Sequence, residues 1–316
     1  MAADALTEAG RRRPRRLQPG DRIALVAPAS PVKADDLERG ADEIRTLGFE
    51  PVYDDRVRAR HGYVAGLPRL RASALTDAWR DPSIRGVVAV RGGYGSQQLL
   101  PLLEPRWLAA DPKVFVGYSD LTALLAWHVA HGAVAFHGPM AEGRLAQGQA
   151  GYDRASLLAA VTQPVPMGTL APAGLEVIRP GEAAGVLTGG TLTQVASLLG
   201  TPFASVPREP TILFLEDVGE RPYRLDRLIT QLHQAGMFRY VTGVVLGVFP
   251  GCDEGAGGPT ARAVLGDLFA HFPGPVVFGF PSGHTLGATI TLPFGVAARL
   301  VTGAAPALSI EEPAVC

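Results

Sequence analysis

The sequence is short of cysteine, of net charge and of long hydrophobic segments. Cys252 and Cys316 are its two cysteines among 316 residues. They lie far apart, so we expect no disulfide framework, and a reducing, cytoplasmic location is the easier interpretation. The 29 basic and 30 acidic side chains give a net charge of −1, which argues against a nucleic-acid partner. No run approaches the roughly 18 apolar residues that span a bilayer, so we expect no membrane association.

The N-terminal segment is basic but lacks the features of a secretion signal. The stretch Arg11–Arg16 contains five arginines and one proline. A secretory signal would continue with an apolar run of about 7–15 residues, whereas the next residues, 17–22, are largely polar. We therefore predict a flexible, solvated basic tail over residues 1–19.

The remaining sequence predicts an α/β protein of two domains. Hydrophobic residues make up 47% of the chain, which is enough for real cores, and the length suggests two domains. Apolar strand candidates alternate with helical stretches from Ile23 to His131, which favours a parallel sheet covered on both faces. Strands outnumber helices in the second half, which favours mixed α/β structure with antiparallel pairing. The predicted divisions are a first domain at 20–165, a proline-rich linker at 166–182 and a second domain at 183–316.

Ser119 is the first candidate for catalysis. The apolar run Val114–Val116 is followed by Gly117-Tyr118-Ser119-Asp120, and a helical stretch starts just after the serine. This pattern resembles a nucleophile elbow, in which a sharp turn exposes the hydroxyl and backbone N–H groups at the helix start hold a developing oxyanion. The motif differs from Gly-x-Ser-x-Gly. A helix N-cap role for Ser119 or Asp120 therefore remains an alternative.

A nucleophilic serine needs a base and an acid that orients the base, and two strand ends supply candidates. His284 follows the strand-like run that ends at Phe280 and has a glycine before it. Glu216 ends the run Ile212–Leu215, where a carboxylate needs a partner because an unpaired buried charge is costly. The alternatives are a hydrogen-bonding turn histidine and a strand-end salt bridge to Arg221 or Arg224.

A glycine-rich loop, Arg91-Gly92-Gly93-Tyr94-Gly95, also follows a strand candidate. It lacks the spacing of a dinucleotide-binding loop and the Lys-Ser/Thr ending of a P-loop. We interpret it as a wall of the active site that supplies a backbone N–H. A zinc site on His128, His131, His137 and Glu142 is the weaker alternative, because their spacing does not match His-Glu-x-x-His.

Together these blocks resemble one family, the serine LD-carboxypeptidases, which include muramoyltetrapeptide carboxypeptidases and microcin-C self-immunity peptidases. The resemblance extends from about Asp21 to Arg299. It rests on blocks that occur in the same order: Ile23–Ser30, Gly62–Gly66, Arg91–Gly95, Gly117–Asp120, Gly189-Gly190, Leu215–Asp217 with Pro222–Arg227, and Gly283-His284.

The resemblance implies a fold and a reaction. The expected fold is an N-terminal Rossmann-like parallel sheet domain and a C-terminal mixed α/β domain, with the active site at their interface and the chain in a homodimer. The expected reaction is hydrolysis of an L-to-D amide in a small peptide with a free C-terminal carboxylate, releasing D-Ala from muropeptide tetrapeptides during peptidoglycan recycling. No metal or cofactor is expected.

The resemblance also assigns roles to individual residues. Ser119 maps to the nucleophile, Glu216 to the acid and His284 to the base. The expected oxyanion donors are the backbone N–H of Asp120 and that of Gly92 or Gly93, and the first candidate to pair with the substrate carboxylate is Arg91.

Two positions depart from the family pattern, and two other functions remain open. Thr191 stands where the family often has Asn, and Ser96–Leu100 lacks a frequent basic residue, which leaves the substrate more open than the reaction. The second function is hydrolysis of peptidyl-nucleotides or other acylated toxins, and an aromatic side chain placed to stack on a base would favour it. The third is a ligand-binding protein that has lost catalysis, which the presence of all three candidate residues disfavours.

Overall fold

A computed structural model describes residues 11–255 and 257–316. The strands are β1 (Arg22–Val26), β2 (Glu50–Val52), β3 (Ile84–Ala89), β4 (Val114–Gly117), β5 (Ala135–His137), β6 (Gly168–Leu170), β7 (Glu176–Arg179), β8 (Gly181–Thr191), β9 (Thr211–Glu216), β10 (Val241–Leu246), β11 (Val276–Phe278), β12 (Leu292–Phe294), β13 (Ala297–Thr302) and β14 (Ala307–Ile310). The α-helices are α1 (Ala34–Thr46), α2 (Pro68–Arg80), α3 (Arg106–Ala110), α4 (Thr122–Ala130), α5 (Arg154–Thr162), α6 (Leu192–Ser197), α7 (Pro222–Gln234) and α8 (Ala261–Phe269).

The first sheet has six strands in the order β12-β5-β4-β3-β1-β2. Its five N-terminal strands are parallel, and β12 adds an antiparallel edge next to β5. The order 2-1-3-4-5 of the parallel strands is a doubly wound arrangement, in which ligands bind beyond the carboxyl ends of the strands where the strand order reverses. In this sheet the reversal lies between β1 and β3, so the loops that follow these two strands border the expected binding crevice.

The second sheet has eight strands in the order β6-β14-β13-β8-β9-β10-β11-β7. Its centre, β8 to β11, is parallel, and its outer pairs are antiparallel. The predicted α/β class and the mixed pairing in the second half are therefore confirmed. The strands β6 and β7 lie inside the predicted linker, residues 166–182, and β12 of the second half joins the first sheet, while the domain boundaries themselves stay a prediction.

Both faces of strand β9 are buried, and this fixes the directions of the side chains at its end. Ile212 and Phe214 belong to the larger core, which fills the first sheet and its contacts with the second. Leu213 and Leu215 belong to a smaller core beneath α7 and α8. Because successive strand residues point to opposite faces, Glu216 points to the side of the first sheet and Asp217 to the other.

Helix α4 lies between the sheets, which explains why it has no polar face. Residues 122–129 are all buried, and the helix contacts β4 and β5 of the first sheet and β8 of the second. By contrast, α7 has a single buried stripe, Leu225, Ile229 and Leu232, at the spacing of an amphipathic helix. A helix apolar all round is typical of a buried central position, so the start of α4 is held firmly from two sides.

The segment after the Arg91 loop, Ser96–Leu102, is a 3₁₀ helix that contains Pro101, which has no N–H for a regular α-helix. His137, named above as a candidate zinc ligand, ends strand β5. Residues 11–19, the described part of the predicted flexible tail, differ from the expectation. Within the predicted tail of residues 1–19, Arg12 pairs with Ala133, and Leu17 is buried and donates from its N–H to Val161. This part packs against the protein because its backbone finds partners there, and residues 1–10 lie outside the described residues.

Candidate active site

Ser119 occupies a strained turn at the carboxyl end of strand β4. Its φ is +63°, a left-handed conformation that few residues other than glycine adopt. A short 3₁₀ helix, Ser119–Leu121, follows and leads directly into α4. Such strain is retained where the surrounding structure enforces it, and it is common at reactive positions. The local geometry resembles a nucleophile elbow more than a helix N-cap, because the N-cap positions of the 3₁₀ helix and of α4 are Tyr118 and Leu121, not Ser119 or Asp120.

Gly92 lies directly against the side chain of Ser119. A Cβ atom at Gly92 would be 2.9 Å from Ser119 Cβ, 3.1 Å from Ser119 Oγ and 3.4 Å from the backbone N of Asp120. Only glycine fits such a close approach. The backbone of the Arg91 loop and the N–H of Asp120 therefore border the same space beside the serine hydroxyl. Gly93 faces elsewhere, since a Cβ there would lie 2.4 Å from Ser30 Oγ.

Glu216, the last residue of strand β9, and His284, in the loop that follows strand β11, form a hydrogen-bonded pair. The Nδ1–H of His284 donates to Glu216 Oε2 at 2.8 Å, and the backbone N–H of His284 donates to the same oxygen at 2.9 Å. This bond places the proton of a neutral imidazole on Nδ1, which leaves Nε2 free to accept one. The expected alternatives find other partners, because Arg221 pairs with Glu254 and Arg224 with Glu220.

Glu216 is ionised although it is fully buried. Burial by itself would raise the pKa of Glu216, but the His284 hydrogen bond, the charge of His284 when it is protonated and the Thr191 hydrogen bond together outweigh it, so that the pKa is lowered. Thr191 donates from its hydroxyl to Glu216 Oε1. The side chain of His284 is 19% exposed. The pair thus consists of a buried carboxylate and a partly accessible imidazole. A carboxylate in this position can orient the imidazole and stabilise its protonated form.

Contacts on two sides bring the elbow and the Glu216–His284 pair together. The ring of Tyr118, the residue before Ser119, packs edge-on against the ring of His284 with 5.1 Å between centroids. On the other side, Thr122 Oγ1 at the start of α4 accepts from the N–H of Thr191 at 3.0 Å. Residues on both sides of Ser119 therefore contact His284 or the residue that supports Glu216, which places the turn of Ser119 and the Glu216–His284 pair in one region between the sheets.

The close fit around Gly283 fixes the histidine loop against Glu216. Gly283 has φ +77°, and a Cβ there would lie 2.7 Å from Glu216 Cδ and 2.9 Å from His137 Cε1. No other residue type fits this position without displacing the carboxylate. The glycine before His284 is thus required by the approach of the loop to the acid.

The side chain of Asp120 has a structural task next to the elbow. It is buried, and its Oδ2 accepts from the N–H of Ser96 at 2.8 Å, while the hydroxyl of Ser96 donates back to the carbonyl of Asp120. Burial raises the pKa of Asp120. Buried Arg71 donates to the carbonyls of Pro28, Gly66 and Gly95, three loops at the same edge of the first sheet. These bonds fix the loop that carries Gly92 relative to Ser119.

Arg91, the candidate for a substrate carboxylate, is only partly free. Its Nη1 donates to the carbonyl of Pro31 at 2.9 Å and lies 3.5 Å from Glu142, and its side chain is 41% exposed. Glu142 also accepts from the backbone N–H of Lys33. The contacts of Nη1 therefore hold the arginine in place, and its other N–H groups are left for a ligand.

The other candidate groups do not come together. His128 stacks on Phe115 inside the first core, and His131 caps the end of α4. Among residues 11–255 and 257–316, no cluster of three or more His, Cys, Asp or Glu side chains could hold a metal ion. In the same part of the chain, no helix is long and apolar enough to cross a membrane.

Two residues shape the site in ways that the sequence did not indicate: Arg144, and His137, which the sequence offered only as a zinc ligand. His137 is fully buried beside Glu216. Its Nδ1 donates to Ser282 Oγ at 3.0 Å, because the hydroxyl proton of Ser282 is donated to the carbonyl of Ile290, and burial lowers the pKa of His137 to about 4. Arg144 lies beside the His284 loop. Neither residue carried a local signal, since each acts through contacts more than 130 residues away in the chain.

A serine, a histidine and a buried glutamate at strand ends of an α/β fold are the arrangement of a serine hydrolase. Comparison with known families agrees with this class. Residues 23–138 match the model of the LD-carboxypeptidase N-terminal domain, and residues 184–300 match that of the LD-carboxypeptidase C-terminal domain. The chain belongs to the LD-carboxypeptidase family and is a serine-type peptidase.

Individual relatives and solved structures cover nearly the whole chain. A Streptomyces coelicolor protein assigned as a carboxypeptidase is 41% identical, over 96% of this chain and 97% of that protein. The murein tetrapeptide carboxypeptidase of Pseudomonas aeruginosa is 34% identical, over 84% of this chain and 89% of that protein. The structure of muramoyltetrapeptide carboxypeptidase from Oxalobacter formigenes has a TM-score of 0.81 and 31% identity, covering 92% and 99% of the two chains. The microcin C7 self-immunity protein MccF has a TM-score of 0.87 and 23% identity, covering 96% and 100%, which shows a shared fold.

Proposed function

We propose that this peptidase removes the terminal D-Ala from muropeptide tetrapeptides by cleaving an L-to-D amide bond. Relatives that are 31% and 34% identical carry the names probable murein peptide carboxypeptidase and murein tetrapeptide carboxypeptidase. The observation that carries the mechanism is the Glu216–His284 pair beside a serine with φ +63°.

In the proposed mechanism, Ser119 Oγ attacks the amide carbonyl and His284 Nε2 takes its proton. Glu216 holds the imidazole through Nδ1 and stabilises its cationic form. The backbone N–H of Asp120 and that of Gly92 or Gly93 donate to the oxyanion, and the close contact of Gly92 with Ser119 favours Gly92. The protonated imidazole then gives its proton to the leaving amine of D-Ala, and water hydrolyses the acyl-enzyme by the same route.

The remaining roles concern binding and assembly. The free N–H groups of Arg91 pair with the C-terminal carboxylate of the substrate. We further propose that the protein acts in the cytoplasm, where fragments of the cell wall would be recycled, and that it forms a homodimer. Cell fractionation tests the location, and light scattering after gel filtration tests the dimer.

Incubation of muropeptides with the wild type and with Ser119→Ala, followed by mass spectrometry, tests the function. We expect the wild type to release D-Ala from the tetrapeptide and the variant to be slower by about 10⁴–10⁶-fold, as for comparable triads. Equal release by both proteins would remove Ser119 from the mechanism. Absence of release by the folded wild type would remove the muropeptide substrate.

A second candidate substrate is a peptidyl-nucleotide, and one observation favours it. Tyr63 and Tyr94 are 70% and 49% exposed, and their rings meet edge-on with 5.4 Å between centroids. Both tyrosines are tied to Ser30 through their backbones, at the edge of the sheet where the strand order reverses. Exposed aromatic rings at such a crevice can stack on a nucleobase. Hydrolysis of an aminoacyl sulfamoyl adenosine in the same assay, without release of D-Ala, would favour this substrate.

A further inference from the structure

Arg144 binds the loop that carries His284 from both sides of the histidine. Its Nη2 donates to the carbonyl of Gly283 at 2.9 Å and to that of Thr285 at 3.1 Å. Its Nη1 donates to the carbonyl of Gly287 at 2.8 Å and to that of Gly151 at 3.3 Å. One guanidinium therefore holds three carbonyls of a five-residue loop, and two of them belong to the immediate neighbours of His284.

The same guanidinium lies over the residue before the nucleophile. The Cζ atom of Arg144 is 5.9 Å from the centre of the Tyr118 ring, and that ring contacts His284. Burial raises the pKa of Tyr118, and the charge of Arg144 opposes this rise only in part, which agrees with a cation close to the ring. Arg144 is thus in contact with the elbow and with the base loop at once.

The carbonyl contacts of Arg144 leave only its Nε–H for another partner. A guanidinium has five N–H groups, and the four on Nη1 and Nη2 account for the four carbonyl contacts. Its planar fork suits several carbonyls at fixed angles, which the compact ammonium of lysine cannot reproduce. The residue acts on the backbone of the loop.

We propose that Arg144 is a positioning residue that sets the place of His284 relative to Ser119. The inference rests on the proposed function, because it assumes that His284 is the base. The Glu216 hydrogen bonds fix one edge of the imidazole and the backbone N–H of His284, but the segment beyond His284 includes exposed Leu286 and Gly287. Arg144 supplies the hydrogen bonds that hold this outer segment.

The test measures kcat and KM for D-Ala release by Arg144→Ala and Arg144→Lys. A misplacement of about 1 Å can lower a rate by about 10²-fold. We expect Arg144→Ala to lose about 10–100-fold in kcat with a much smaller change in KM, and Arg144→Lys to lose part of the rate while the protein stays folded. Added guanidinium ion should restore part of the activity of Arg144→Ala, because it can occupy the vacated site.

Two further proteins make the result decisive. Arg154→Ala removes an arginine that donates to one carbonyl, Thr46, on another surface, and it should keep full kcat and show no response to guanidinium. Ser119→Ala should stay inactive with guanidinium. If the wild type is active and Ser119→Ala is not, the proposed function stands. A kcat of Arg144→Ala within about twofold of the wild type, or a loss that follows the unfolded fraction and is not restored by guanidinium, would then overturn the inference about Arg144 alone.

Discussion

Ser119, the proposed nucleophile, is held by atoms that leave it very little freedom. Ser119 has a left-handed backbone, Gly92 closes one side at contact distance, and the buried carboxylate of Asp120 ties the Gly92 loop to the elbow through Ser96. The glycine and the aspartate therefore complement each other: one permits the approach and the other maintains it. In the proposed mechanism, such fixed donors and a fixed nucleophile would lower the reorganisation needed in the transition state.

Thr191 should matter through the carboxylate that it contacts. Its hydroxyl donates to Glu216 Oε1, and both groups are buried. In Thr191→Val this oxygen loses its donor. The unsatisfied buried oxygen should lower the free energy of unfolding by about 1–3 kcal/mol, and the pKa of Glu216 should rise. Because the pKa of Glu216 is lowered, Glu216 stays ionised at neutral and mildly acid pH, and the wild type should show no loss of rate from its protonation there.

Measurement of kcat/KM from pH 4 to 8 checks this expectation. Thr191→Val should lose about tenfold or more in rate, and the loss should grow toward the acid side, where Glu216 becomes protonated. Thr191→Ser keeps the donor and serves as the matched control, with a rate near that of the wild type. A Thr191→Val profile parallel to the wild type at all pH values would contradict a role of this hydroxyl in the charge of Glu216.

At the scale of elements, the strand ends were predictable and their neighbours were not. The apolar runs before Ser119, Glu216 and His284 mark strands β4, β9 and β11 in the sequence, and strand alternation correctly separates Glu216 from Asp217. Asp217 instead accepts from the N–H and hydroxyl of Thr193 at the start of α6. Strands β5 and β12 were missed although β11 is equally short, because β5 ends in His137 and β12 contains Pro293, so neither stands out as an apolar run. The pairing of β12 with β5 depends on contacts more than 150 residues apart.

The contact between α4 and β8 should couple the two sheets. Thr122 Oγ1 is buried and accepts from the N–H of Thr191, whose side chain supports Glu216. Thr122→Val removes the acceptor and leaves a buried backbone N–H without a partner, at a cost of about 1–3 kcal/mol. We expect a lower free energy of unfolding in urea together with a reduced kcat. Thr162→Val removes a hydroxyl that bonds within α5, and we expect it to change the free energy of unfolding and kcat much less. A Thr122→Val protein as stable as this control would show that the contact is dispensable.

The whole molecule carries buried groups whose titration opposes folding at acid pH. His128 and His137 are fully buried, and burial lowers the pKa of each to about 4. Both are therefore neutral in the folded protein, while the unfolded chain takes up protons near pH 6.5. A lowered histidine pKa means that stability is lost as the pH falls from about 6.5 toward 4. Asp217 acts in the opposite direction, because burial raises its pKa to about 6. The stability that protonated Asp217 contributes is therefore lost as the pH rises through that value.

Replacing His128 separates these opposing contributions without touching the candidate site. The histidine stacks on Phe115 and contacts Trp79 and Trp127, so His128→Phe keeps an aromatic ring in an apolar place. From a difference of about 2.5 pH units, His128 should account for up to about 3 kcal/mol of the stability lost between pH 6.5 and 4. Urea unfolding at several pH values should show a shallower acid decline in His128→Phe with unchanged kcat, whereas exposed His271→Phe should follow the wild type. Equal slopes for His128→Phe and the wild type would mean that His128 takes up its proton in the folded protein as readily as in the unfolded chain, and burial would then not govern its titration.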